Sequence, residues 1–297
     1  MEQQKPKVTF TNEISRMMFG FGDSCSPNPE TVQLVENITL DQLRTIVREA
    51  LKYSADGKTL KGEELIFLMR HDKYKMRRFV KYLHNKVLKN IQTSNLAEID
   101  LDVKPKGYLM EFIQKIDETG EFTDLTEMDE VKHQRDLRAD RISQALDEEQ
   151  YLEFCKARTT SFCSKHITMR NLERLKNWID SDPNSQIVFR LEALEVLAYL
   201  AYQTVAEIVD YALLVRMDAN GGHDPLKHIA GSYYSATMFS YAHKFGASNF
   251  DHSRVYSGQA AITVNEIKEV MRRVRSPQAG VLNFGGKPPE TRYCFAL

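Results

Sequence analysis

Few residues in this chain are of the types that chemistry needs, and their spacing decides what each can do. Arg70-His71-Asp72 sets a cation, a base and a carboxylate side by side. Consecutive residues at a helix end point apart, so the trio reads as a hinge in which Asp72 caps the following helix. Gly57-Lys58-Thr59 ends like a phosphate loop, but the first glycine of that motif falls on Lys52, so it reads as a turn. His223, Asp224, His228, His243 and His252 are metal-ligand types at spacings that match no ligand pattern. Cys25, Cys155, Cys163 and Cys294 form no C-x-x-C pair, which suits reduced thiols rather than a disulfide frame or a zinc site. A nucleophilic Cys155 or Cys163 would also need a base that the sequence does not identify. The expectation is no enzyme, no metal, no cofactor and no small-molecule ligand.

The next constraint is charge. Forty Lys+Arg stand against 41 Asp+Glu, a net charge of −1, whereas gripping DNA by its phosphates takes a clustered positive excess. Wrapping of DNA is therefore disfavoured. No apolar run reaches the ~18 residues of a membrane span, and Met1-Glu2-Gln3-Gln4-Lys5 does not read as a secretory signal. Asn37-Ile38-Thr39 matches a glycosylation sequon by chance, inside a helix.

The elements that must position any site are helices. Ile187, Leu191, Leu194, Ala198, Ala201, Val205, Ile208, Ala212 and Val215 recur in steps of four and three, which only a helix gathers on one face. Ile187 to Arg216 is therefore expected as one helix, about 45 Å long at 1.5 Å per residue. Its reverse side mixes Glu192, Gln203 and Asp210 with Val196, Tyr199 and Leu214. That is too apolar for a purely solvated face, so part of it is expected against a partner.

In chain order, Ile14, Met17, Met18 and Phe21 mark a short helix ending at Gly20 and Gly22. Asn28-Pro29 opens a long helix with Val32, Val35, Thr39, Leu43, Ile46 and Ala50 as its stripe, stopped at Asp56-Gly57. Lys58-Thr59-Leu60 is extended. A short helix with Leu65, Leu68 and Met69 inward precedes a further one burying Met76, Phe79, Val80, Leu83 and Val87. Between Asp117 and Gln150, twelve acidic residues face four basic ones. Such a stretch buries little apolar surface and reads as a partly ordered linker, with Tyr108, Leu109, Phe112 and Ile113 as a docking helix. Aromatic residues return around Tyr151, Phe154, Phe162 and Trp178. Leu172, Leu175 and Ile179 give a short helix, and Asp182-Pro183-Asn184 a turn. After the long helix comes an insert from Gly221, an extended Ala260-Ala261-Ile262, and a capping box at Thr263 to Glu266. That box starts a helix with Val264, Ile267, Met271 and Val274 inward and Arg272, Arg273 and Arg275 at its end. The tail after Pro277 is expected to be irregular.

The two halves share one plan: short helix, long helix, extended link, short helix. A long central helix between two short ones cannot hide its own stripe, and each Leu, Ile or Val left exposed forfeits roughly 1.5–3 kcal/mol. Such units pair, as histone folds do. The expected fold is all-α, two histone folds in one chain paired as an intramolecular pseudo-dimer. Its divisions are 1–90 (first fold with an extra helix), 91–164 (acidic linker), 165–276 (second fold with an insert at 219–258) and 277–297 (tail). Val35, Leu43, Ile46, Leu194, Ala201, Val205 and Ile208 are the expected pairing residues.

Particular stretches are familiar. Met17-Met18-Phe19-Gly20-Phe21-Gly22-Asp23 and Glu64-Leu65-Ile66-Phe67-Leu68-Met69-Arg70-His71-Asp72 resemble the suppressor of Ty number three family, transcription-initiation subunits of the SAGA coactivator. Further matches are Tyr151-x-x-Phe154, Arg158-x-x-Ser161-Phe162, and Tyr199-Leu200-Ala201-Tyr202-x-Thr204-Val205. The first half is also similar to the thirteenth TBP-associated factor of TFIID and the second, more weakly, to the eleventh. The resemblance implies paired histone folds and a non-enzymatic nuclear subunit. Such a subunit binds TATA-binding protein and helps deliver it to RNA polymerase II promoters, alongside other SAGA subunits, histone-fold subunits among them. Family members often carry Glu where this chain has Gln203, which keeps a hydrogen-bonding group but not the charge. Gln203, Glu207, Asp210, Glu192 and Tyr199 are the candidate protein-binding residues.

The alternative is a histone-fold DNA-binding or purely architectural subunit. It rests on the basic stretch Lys73, Lys75, Arg77, Arg78, Lys81, Lys86 and Lys89, which reads more simply as a solvated helix face. Weak or no direct DNA binding is expected. Salt separates the two readings, because binding through several phosphates falls steeply with added salt.

Overall fold

Local sequence sets where the helices of the first half begin and end. The Asn28 side-chain oxygen accepts the Glu30 N–H at 2.9 Å, and Pro29 occupies the first helical position, where no N–H is needed. At Gly22 the backbone turns left-handed (φ 115°). The Gly22 N–H then reaches Phe19 O and the Asp23 N–H reaches Met18 O, both at 3.0 Å, closing the preceding helix. Asp72 Oδ1 accepts from the N–H groups of Tyr74 and Lys75. These signals give α1 (Thr11–Phe21), α2 (Pro29–Leu51), α3 (Gly62–Met69) and α4 (Lys73–Thr93). The chain continues as α5 (Tyr108–Ile116), α6 (Glu130–Ala145), α7 (Glu148–Arg158), α8 (Met169–Ile179), α9 (Leu191–Asn220) and α10 (Val264–Arg275). Two short strands, β1 (Thr59–Leu60) and β2 (Val188–Phe189), complete it. This is a computed structural model, and it describes residues 8–93, 107–163, 169–181, 185–220, 260–275 and 294–297.

The long helices α2 and α9 pack against each other, and each short helix reaches the long helix of the other half. α1 and α3 lie on both α2 and α9, and so do α8 and α10. The loops meet in the same reciprocal way. β1, after α2, pairs in parallel with β2, before α9, in the register Thr59 to Val188 and Leu60 to Phe189. At the other end, the loop before α2 meets the link before α10. There the Ile262 N–H donates to Asp23 Oδ1, and Thr31 Oγ1 donates to Ile262 O, each at 2.8 Å. One continuous core includes Val35, Leu43, Ile46, Leu194, Ala201, Val205 and Ile208. All seven expected pairing residues are thus buried together.

Several expectations need correction. The second long helix starts at Leu191, not Ile187, because Val188 and Phe189 are taken into the strand pair. It also runs to Asn220, past Arg216, and Leu191, expected on the buried stripe, is exposed. Gly20 lies inside α1, not at its end. Ile66, not Leu68, is fully buried on α3 beside Leu65 and Met69. Val87 is only half-buried. The described end of the tail, 294–297, has no helix or strand, as expected, but it is docked on the core. Phe295 is buried, its N–H donates to Gln42 Oε1 at 2.9 Å, and Lys75 Nζ donates to Phe295 O and Leu297 O. The Asp182 to Asn184 turn and the insert from Gly221 to Gly258 lie outside the described residues.

The segment read as a linker carries α5, α6 and α7. α5 docks on α3 through Leu109, Met110 and Ile113. α7 lies across α1, where Phe19 meets Phe154 edge-on at 5.3 Å between ring centroids. These two rings, with Ala139, Ile142 and Ala157, form a separate small cluster. Gly20 permits this approach, since a Cβ there would stand 3.0 Å from the Ala157 carbonyl carbon. Gly20→Val, whose branched side chain cannot retract, is therefore expected to overpack the α1–α7 contact. It should lower stability by about 1–3 kcal/mol, read as a lower urea midpoint with unchanged slope.

Candidate protein-interaction site

The residues expected to face a partner lie on one side of α9. Glu192, Tyr199, Gln203, Glu207 and Asp210 follow one another in steps of seven, four, four and three, which a helix aligns. Glu192 is exposed. The other four are not, and here the sequence reading needs correction. Tyr199 is 6% exposed, Gln203 and Glu207 8%, and Asp210 6%. What covers them is this chain itself, through long charged side chains that supply the counter-charges a buried carboxylate needs.

α4 runs antiparallel along this face. Lys86 pairs with Glu195. Tyr82 and Phe79 stand 4.9 and 5.0 Å from Tyr199, ring to ring. Lys75 Nζ lies 3.7 Å from Glu207. Burial pushes the Tyr199 phenol well up. It also pushes the Glu207 carboxyl up, and Lys75, Arg135 and Arg78 only partly offset this.

α6 closes the other side. Arg135 Nε donates to Asp210 Oδ2 at 2.7 Å, and its Nη1 donates to Gln203 Oε1 at 3.2 Å. Arg138 Nη1 sits 2.8 Å from Asp210 Oδ1 and donates to Phe21 O at 2.7 Å. The contact to Asp210 Oδ1 is one of charge, without hydrogen-bond alignment. That oxygen, Arg135 Nη2 and Arg138 Nη2 are buried with no hydrogen-bond partner. Each unmet buried group costs about 1–3 kcal/mol.

α6 is tied in turn to α4. Arg78 Nε and Nη2 donate to the two oxygens of Asp129, at 2.7 and 3.0 Å. Asp129 also caps α6 by accepting the Lys132 N–H. Burial opposes the Asp129 charge, but the Arg78 hydrogen bonds and charge outweigh it and hold its carboxyl below the ordinary range. Arg77 pairs with Glu127. Of the basic stretch on α4, then, Lys75, Arg77, Arg78 and Lys86 are engaged inside the chain and do not form a free cationic face. Arg135 and Arg138, which cover this face, are residues the sequence reading did not single out. A signal existed: they stand three apart on a polar helix, beside the only two residues α6 buries, Ala139 and Ile142.

Among the described residues no group of three or more His, Cys, Asp or Glu is placed to hold a metal, and no helix is long and apolar enough to cross a membrane. The histidines of the insert lie outside the described residues.

The half-buried Asp129 and the buried Glu207 are shifted in opposite directions. Asp129, held below its ordinary value, contributes stability above the usual carboxylate range and loses it as pH falls through its lowered value. Glu207, held above its ordinary value, favours the fold when protonated, and that contribution is lost as pH rises. Asp129→Asn is therefore expected to cost about 1–2 kcal/mol at pH 7 and less in acid. Glu207→Gln should change stability by under about 0.5 kcal/mol or raise it. Urea unfolding at pH 7, at about pH 4 for Glu207, and at about pH 2, below the lowered Asp129 value, measures both.

Comparison with known proteins follows this architecture. Residues 8–97, covering α1 to α4, match the family model for the 18 kDa subunit of transcription initiation factor IID. The human transcription initiation factor TFIID subunit 13 is 32% identical over 76 residues, 26% of this chain and 60% of that protein. Longer matches span both halves. The SAGA complex subunit Spt3 of Schizosaccharomyces pombe is 26% identical over 293 residues, 89% of each chain. The SAGA complex subunit Spt3 of Drosophila melanogaster is 32% identical over 276 residues, 90% of this chain and 68% of that protein. With 32% identity over 90% of its length, the chain belongs to the Spt3 family.

Proposed function

We propose that this protein is a non-enzymatic coactivator subunit of a SAGA-type complex in the nucleus. In this reading it binds TATA-binding protein and helps deliver it to RNA polymerase II promoters, in company with other subunits of the complex. The observation that carries this reading is the similarity to the SAGA complex subunit Spt3 over nine-tenths of the chain. The fold is read as two histone folds, α1-α2-α3 and α8-α9-α10, paired within the chain, with α4 to α7 as the segment that joins and covers them. The reciprocal contacts of short and long helices and the two loop junctions support it.

The candidate contact residues remain Glu192, Tyr199, Gln203, Glu207 and Asp210. Glu192, exposed beside the exposed Val188 and Leu191, is open to a partner directly. The DNA-binding alternative is disfavoured by the engagement of Lys75, Arg77, Arg78 and Lys86 within the chain.

Titration of the full chain against TATA-binding protein, with duplex DNA in parallel, is expected to give saturable protein binding that survives physiological salt. DNA binding should be weak and lost with salt. Tight DNA binding with none to TATA-binding protein would overturn the reading.

A further inference from the structure

The polar face of α9 is filled by the chain's own arginines, and they come from a helix with little else to hold it there. α6 buries only Ala139 and Ile142, both in its second half. These pack on Phe19, Phe154 and Ala157 of α1 and α7, away from the main core. Its first half, residues 130–138, reaches α9 and α4 through charged groups: Arg135 to Asp210 and Gln203, Arg138 to Asp210 and Phe21 O, Asp129 to Arg78. Leu137 in this half points out to solvent. The contact is also incomplete, since Arg135 Nη2, Arg138 Nη2 and Asp210 Oδ1 find no hydrogen-bond partner. Opening would return all three to water, so the desolvation that closing imposes is recovered.

We propose that the first half of α6 is a displaceable cover over the Gln203–Glu207–Asp210 face. In the closed form Arg135 and Arg138 neutralise Asp210. When the half-helix lifts, pivoting on the apolar anchor at Ala139 and Ile142, Asp210 is left with no cation opposite it from α6. Glu207 keeps only Lys75 at 3.7 Å and the more distant Arg78. The uncovered face offers the Asp210 carboxylate and the Gln203 amide oxygen as open acceptors, a surface for a partner that presents guanidinium or ammonium side chains where Arg135 and Arg138 had been. The partner competes with α6 for one set of acceptors. Its apparent affinity is its intrinsic affinity reduced by the fraction of molecules in which the cover is open. This rests on the reading that TATA-binding protein is the partner only for the choice of binding probe.

Hydrogen–deuterium exchange on the full chain, without any partner, tests the cover itself. Amides of residues 133–138 are expected to exchange at least about tenfold faster than those of α9 between Ala193 and Leu213, as a local opening does. Raising the salt should speed them further while α9 stays protected. Arg135→Gln should have the same selective effect. Should that variant not fold, the salt series on the unaltered chain decides alone. Exchange of α6 in step with α9 at every salt concentration would overturn the proposal and make α6 an integral part of the core. The second arm is a titration with TATA-binding protein. Arg135→Gln is expected to tighten binding about threefold or more, by enlarging the open fraction. Equal or weaker binding by the variant would overturn the competition. Absence of binding by both forms would instead count against the proposed partner, while the exchange result still decides whether α6 opens.

Discussion

The structure depends on one constraint: α9 is apolar on more sides than any single neighbour can cover. From Ala193 to Leu213 only Glu195, Tyr202 and Tyr211 have more than slight exposure. A helix buried all round must be enclosed, and the short helices of its own half reach only part of it. α2 supplies the crossing, α1 and α3 supply flanks from the other half, and α4 covers what is left. At roughly 1.5–3 kcal/mol for each buried Val, Leu or Ile, neither half could leave its long helix exposed. The loop junctions then fix the register. β1 and β2 pair through Lys58 O, Val188 N, Leu60 O and Arg190 N at one end. The Asp23 carboxylate receives Ile262 N at the other. The second junction is the less satisfied one, since Asp23 Oδ2 is buried without a partner and burial pushes this carboxyl up.

Enclosing α9 from Ala193 to Leu213 has an electrostatic consequence. Its polar residues cannot be solvated, so counter-charges must come from within the chain. The acidic segment does this in both directions. Glu127 and Asp129 take Arg77 and Arg78 of α4, and Arg135 and Arg138 go to Asp210 of α9. A net charge near zero thus conceals an internal exchange of ion pairs between segments far apart in sequence, and it ties Arg77 and Arg78 of the α4 basic stretch into the chain. Buried pairs of this kind contribute little net stability because desolvation offsets their attraction. Their effect is to fix which segment lies where.

Much of this was legible in the sequence because it rests on periodicity and caps. The stripe of α2, the Asn28-Pro29 start, the Asp72 cap and the Thr263–Glu266 box need only local spacing. So did the seven residues that lie buried together in the core, since a stripe that cannot be hidden locally must be hidden by a second helix. What was not legible depends on distant partners. Ile187 fits the helical period of α9, yet Val188 and Phe189 are drawn into a strand whose other half is 129 positions earlier in the chain. Gln203, Glu207 and Asp210 read as an outward face because the residues that cover them come from a stretch whose acidity argues against burial. Acidity does limit the apolar area this stretch buries, as α6 buries only Ala139 and Ile142. It does not limit ion pairs, for which a charged helix is well suited.

Gln203 shows how one position ties the site to its cover. The family resemblance implies a Glu at this position. Beneath α6 a third carboxylate would give Arg135 a charged acceptor in addition to Asp210, and charge-assisted hydrogen bonds are about twice as strong as neutral ones. The amide offers Arg135 Nη1 a neutral oxygen at 3.2 Å, while Arg135 Nη2 has no acceptor at all. In the proposed opening, an amide in place of a carboxylate weakens two things at once: the hold of α6 on α9, and the attraction of the uncovered face for a cationic partner. The first lowers the barrier a partner meets and the second lowers what it gains on arrival. Because both act through the same acceptor oxygen, the balance between cover and partner changes less than either contact does alone.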